Sequence, residues 1–191
     1  MVIGGNYIKE NIQPEVNLQY KHLNWEETFM IEATTTGIVY DTQGVNDNIT
    51  QENLYKQKGM TALSSRHYAV KTVNDVNVDE FFPECYYDVT YFKLPPGNNL
   101  WWHKDYYSFF QKKFNIKKRK SNSIHRTIIT LENWVPGQIF AVEDNIAFDW
   151  KKGNSYTFQE NLWHGVGNFS LEEYVIMQVT WIKKKDVIND Q

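Results

Sequence analysis

The sequence predicts a mainly β protein whose helices are confined to its N-terminal part. Three observations carry this expectation. Six short runs rich in β-branched and aromatic residues crowd the chain from Glu84 onward: CYYDVTYFKL, IIT, QIFAVE, NIAFDW, NSYTFQ and EYVIMQVTWI. Turn signals (PPGNN, VPGQ, EDN and KKGN) separate several of them. No helical pattern lies between one run and the next, which favours an antiparallel sandwich or barrel over parallel βαβ units. An aromatic share of 16% agrees with β-rich structure or a pocket lined with rings.

The N-terminal part reads differently. Residues 21–41, KHLNWEETFMIEATTTGIVYD, alternate loosely, and IVY within them predicts a short strand. Residues 51–76, QENLYKQKGMTALSSRHYAVKTVNDV, are the best helical candidate, with a break near Gly59. Residues 1–83 therefore read as a mixed α/β extension and 84–182 as the β core, within one domain spanning 1–191. A chain of 191 residues can bury a core without disulfides or a structural metal.

Charge and composition exclude several classes. A net charge of −3 gives no global basic field, so nucleic acid is not an expected partner. Cys85 is the only cysteine, which forbids an internal disulfide and suits a reducing compartment. The start, MVIGGNYIKENIQPEVN, has no basic n-region followed by an apolar h-region, and no apolar run approaches the roughly 18 residues of a membrane span. The expectation is a soluble cytoplasmic protein. One stretch breaks the pattern: QKKFNIKKRKSNS, residues 111–123, holds six Lys or Arg. It reads either as a solvated mobile loop or, functionally, as a lid or a contact for an anionic substrate.

The chemistry concentrates in LPPGNNLWWHKD, residues 94–105. TYFKLPPGNNLWWH reads as strand, turn, strand, which puts His103 and Asp105 where the second strand ends. Side chains two apart on an extended chain point the same way, so both could face one ion. A non-haem iron centre needs a second histidine and open positions. His164, in FQENLWHGVGN, is the best candidate, because Gly165 and Gly167 permit close backbone approach beside it. His22 and His67 lack an acidic partner at ligand spacing, and His125 faces away from its neighbour Arg126.

HKD followed at a distance by WHGVGN, with W-x-x-G at Trp150–Gly153 between them, resembles the iron(II)- and 2-oxoglutarate-dependent oxygenases. The L-x-P-G-x-x-L-x-x-H layout before the first ligand is most similar to the aspartyl/asparaginyl β-hydroxylase branch. The resemblance covers roughly Tyr86 to Ile182. It implies a double-stranded β-helix, the cupin-like jelly roll. It further implies Fe(II) held by His103, Asp105 and His164, with 2-oxoglutarate and O2 as co-substrates. Hydroxylation of a small-molecule or peptide substrate would then yield succinate and CO2.

Such an enzyme must hold the distal carboxylate of 2-oxoglutarate, and an arginine fork suits that task. Where the family often has a basic residue after the second histidine, this chain has Tyr174, and no Lys or Arg follows until Lys183. Arg126, in SIHRTIITLENW, is the remaining candidate; its alternatives are structural partners such as Asp88 or Glu132. Tyr174 could add a phenolic hydrogen bond. For the substrate pocket, Trp101 shares a face with His103, and Tyr91 or its neighbour Phe92 points inward; we assign Trp101 and Tyr91. Two other classes remain open: a cupin-like metalloenzyme using the same triad without 2-oxoglutarate, and a non-catalytic jelly-roll binding module.

Overall fold

In the computed structural model of the chain, the described residues are 8–11, 26–29, 66–71 and 78–188. Three short strands come first: β1 (Ile8–Asn11), β2 (Glu26–Phe29) and β3 (Arg66–Lys71). Strand β4 (Cys85–Leu94), strand β5 (Asn98–His103) and helix α1 (Ser108–Lys113) follow. Then come β6 (His125–Thr130), β7 (Gln138–Val142), β8 (Asn145–Ala147), β9 (Asn154–Gln159), β10 (His164–Asn168) and β11 (Tyr174–Lys183). Two sheets result, ordered β1-β9-β6-β11-β4-β3-β2 and β5-β10-β7-β8. From β4 to β11 the chain passes back and forth between them, so β4, β6, β9 and β11 share one sheet and β5, β7, β8 and β10 the other. Eight antiparallel strands divided in this way, with sequence-distant strands as neighbours, form a jelly roll.

Alternation explains the layering. On the larger sheet Phe92, Leu94, Ile128 and Ile176 turn toward the smaller sheet and pack on its Leu100, Phe140 and Val166. Their neighbours Tyr91, Ile129 and Met177 fill a second cluster on the outer face with Val78 and Phe82. The sheet is buried on both sides, which is why β4 and β11 carry long apolar runs. A third cluster of Tyr107, Phe110, Ile116, Ile124 and Ile182 fastens α1 and the chain after it to the barrel end. Between β4 and β5 the turn Pro95–Asn98 puts Gly97 at φ 74°, and the Asn98 amide donates to the Pro95 carbonyl at 3.3 Å. That is the geometry of a type II turn, which needs glycine at its third position.

The mainly β expectation agrees with these sheets, but three expectations change. Residues 66–71 of the expected N-terminal helix form β3, because pairing with β4 outweighs local preference in RHYAVK; the rest of residues 51–76 lies outside the described residues. The predicted IVY strand also lies outside them. The described α-helix falls in the C-terminal half, and its last three residues begin the basic stretch that read as a loop. Finally, β10 lies between two predicted runs. HGVGN lacks the β-branched density that marks a strand, yet it pairs on both edges, with β5 and with β7. Among the described residues, no helix is long and apolar enough to cross a membrane.

Candidate metal centre

Strand pairing brings the two histidines together. His103 ends β5, His164 begins β10, and they stand opposite each other in the ladder, with an irregularity between His164 and Val166. Bulges of this kind re-aim side chains beside functional sites. The imidazole centroids lie 4.2 Å apart, and both residues are buried, 7% and 6% exposed. Asp105 follows just beyond the end of β5. Its Oδ1 is 3.7 Å from His103 Nε2 and its Oδ2 is 3.2 Å from His164 Nε2. One ligand atom from each of the three residues falls within 4.8 Å of the others.

The hydrogen bonds of this cluster leave room for a cation. His164 Nδ1 lies 3.0 Å from the Leu162 carbonyl, an acceptor only, so Nδ1 carries the proton. Nε2 then turns its lone pair toward the Asp105 carboxylate, an unfavourable contact unless a proton or a metal ion lies between them. Metal-binding histidines are commonly oriented through their second nitrogen in this way. Two imidazoles and one carboxylate, with other positions open, are a donor set that fits non-haem iron(II). The Phe158 ring, 4.9 Å from His164, walls the cluster on the larger sheet.

Arg126 lies against the candidate ligand Asp105. It occupies the inner face of β6, opposite Phe158 and Thr180. Its Nη1 is 2.6 Å from Asp105 Oδ2 and its Nη2 is 3.4 Å from Thr180 Oγ1. The guanidinium also lies over the Tyr107 ring, 5.3 Å from its centroid. A structural partner was among the alternatives for Arg126, but that partner is Asp105 itself, rather than Asp88 or Glu132. Burial pushes the Asp105 carboxyl up, yet Arg126, then His164 and His103, outweigh burial and hold it well below the usual carboxylate range. Burial raises the Tyr107 phenol, so it keeps its proton and donates a hydrogen bond to Asp105.

Tyr174 lies at the far end of the inner face. It opens β11 opposite Leu94, six residues from Thr180, which is about 20 Å along a strand. The Tyr174 ring is 2% exposed and 5.1 Å from Trp150, and its hydroxyl has no hydrogen-bond partner. Burial pushes that phenol up as well. The pocket assignment of Tyr91 is corrected: Phe92 faces the smaller sheet and Tyr91 packs in the outer cluster, because alternation gives the inner face to Phe92 and Leu94. Trp101 has its backbone in β5, while its side chain lies outside what is described.

Two contributors were not foreseen: Tyr107 and the Leu162 carbonyl. Only the position of Tyr107, two residues after Asp105, hints at its role. A carbonyl leaves no trace in a sequence. Phe158 was readable from alternation within NSYTFQ.

No family model matches the chain, and no curated protein is similar to it. Among solved structures, the chain is similar to an oxidoreductase of the 2OG-Fe(II) oxygenase family from Burkholderia pseudomallei. The identity there is 11% over 63% of this chain and 68% of that one, with a TM-score of 0.46. It is also similar to a cupin domain from Bordetella pertussis, at 21% identity over 59% and 92% and a TM-score of 0.36. For KdgF from Halomonas sp. the values are 7%, 64% and 84%, with a TM-score of 0.39. These likenesses are distant, and the jelly-roll assignment rests on the strand order and register of this chain.

Proposed function

We propose that the protein is a mononuclear non-haem iron(II) dioxygenase that uses 2-oxoglutarate to hydroxylate a small-molecule or peptide substrate. The observation that carries this reading is the convergence of His103, Asp105 and His164 on one point inside a jelly roll. Iron(II) with 2-oxoglutarate supplies the hydroxylation when bound: one oxygen atom of O2 enters a substrate C–H bond, the other enters succinate, and CO2 leaves. The chain's own residues set the conditions. The Leu162 carbonyl fixes the tautomer of His164. Arg126 and Tyr107 keep Asp105 anionic and oriented. Aromatic walls, Phe140, Tyr156 and Phe158 among them, exclude water from the interior.

The co-substrate fits less completely than the metal. Its distal carboxylate needs donors, and the Tyr174 hydroxyl is one that is buried without an acceptor. Arg126, the other assigned contact, is engaged by Asp105. That pairing favours a second reading, a metalloenzyme that uses the same triad without 2-oxoglutarate. Adding 2-oxoglutarate to anaerobic, iron(II)-loaded protein separates the two. The first reading requires a visible charge-transfer band that Tyr174→Phe weakens; iron binding with no band on 2-oxoglutarate addition selects the second. Protein that takes up no iron at all would remove both.

A further inference from the structure

Two lysine runs that lie far apart in the sequence, KKRK at 117–120 and KKK at 183–185, meet at one end of the molecule. The Ile188 amide donates to the Lys118 carbonyl and the Lys120 amide to the Asp186 carbonyl, each at 3.0 Å, while Arg119 and Val187 form a bridge. Arg119 turns inward to Glu160, and the other six side chains of the two runs are exposed. A chain with a net charge of −3 thus carries a dense local concentration of positive charge. No single run conveys this, because the two meet only in the fold.

Beside the lysines a groove of about 960 Å³ opens on the outer face of the larger sheet. Lys120, Lys183 and Lys185 stand along it, and Phe82, His125 and Trp181 give it an aromatic lining. The His125 and Trp181 rings stack at 4.4 Å and 13°, and Phe82 lies 5.6 Å from Trp181. The Trp181 indole N–H donates to Thr127 Oγ1 at 2.9 Å, which fixes the ring. Burial pushes the His125 imidazole down, so at neutral pH it is an uncharged ring. Glu84 and Asp186 also line the groove, and Asp186 is held by Lys120 at 2.7 Å. The groove is separate from the metal centre: His125 lines it, while its neighbour Arg126 reaches Asp105 through the opposite face of the same strand.

We propose that the groove and its lysine rim bind a single-stranded nucleic acid, with bases against the ring-lined wall and phosphates along the lysines. Flat rings beside a cationic track are the chemistry that holds unpaired nucleotides without reading sequence. A lipid surface is the poorer match, because these rings are recessed in a groove rather than projecting from the lysine face.

The test uses the full chain and needs neither metal nor co-substrate, so it stands apart from the function proposed above. A labelled oligo-thymidine strand is titrated by fluorescence anisotropy at several salt concentrations. The logarithm of Kd rises linearly with the logarithm of salt concentration, with a slope of about 0.7 for each phosphate contacted. In the triple variant Lys117→Gln, Lys183→Gln, Lys185→Gln, whose side chains are exposed and whose folding circular dichroism verifies, affinity and slope both fall. An abasic strand of equal length binds about five- to a hundredfold more weakly, the equivalent of one stacked base. Equal binding of the abasic strand or of heparin overturns the proposal, as does an unchanged triple variant. Tighter binding to vesicles of anionic phospholipid than to the strand also overturns it.

Discussion

Two arginine–carboxylate pairs flank the barrel mouth, and they are built differently. Arg119 gives Nη1 and Nη2 to the two oxygens of Glu160, each at 2.5 Å, and Glu160 also accepts the Ile124 amide at 3.3 Å. Arg126 gives one nitrogen to one oxygen of Asp105, whose other oxygen faces His103. The first pair is closed, with both carboxylate oxygens bonded and the chain after α1 pinned to the barrel. The second is open on the side where both imidazoles wait. A buried ion pair that satisfies itself fastens structure, whereas one left half-coordinated among histidines is a site.

Breaking each pair should therefore give opposite signatures. The largest effect is expected from His164→Ala, which lowers metal affinity by at least about a hundredfold, more than loss of an outer partner costs. Chelator competition measures it, and retention of wild-type affinity would remove His164 from the ligand set. Next, Arg119→Met strands the buried Glu160 carboxylate and lowers stability in urea unfolding by about 3 kcal/mol, with metal binding unchanged. A loss below about 1 kcal/mol would place that pair with ordinary surface contacts.

Arg126→Met sharpens the contrast from the other side. Metal affinity drops about tenfold to a hundredfold as Asp105 loses its orientation. If affinity rises instead, the repulsion between guanidinium and metal outweighs the positioning role. The smallest effect belongs to Lys120→Gln. It breaks an exposed pair with Asp186 and should move unfolding by less than about 1 kcal/mol, measured on the same urea curves.

Much of the barrel was legible because alternation leaves a strong trace: the bounds of β4 and β9 match their sequence runs residue for residue. The three candidate ligands were legible through spacing and flanking turns. Strand β10 was not, since two of its five residues are glycines and its membership comes from partners on both sides. Helix α1, six residues long, is too short for periodicity to register. Neither arginine's partner could be read. Glu160 is 41 positions from Arg119, and Asp105 meets Arg126 only because β6 passes beneath the barrel mouth. The basic stretch that read as a solvated loop is docked in the fold, through Arg119–Glu160, Lys113–Asp88 and Lys120–Asp186.

The contact between Asp105 and Arg126 also closes the base of the excursion that carries α1 and the first lysine run. Everything between those two residues hangs from a clasp whose geometry the barrel sets. The entropic cost of lengthening such a loop grows only with the logarithm of its length. Added length in the exposed parts of this excursion therefore costs little loop-closure free energy and leaves the contact between Asp105 and Arg126 in place. In this jelly roll a segment whose length is cheap to change is tethered directly to one of the three candidate ligands.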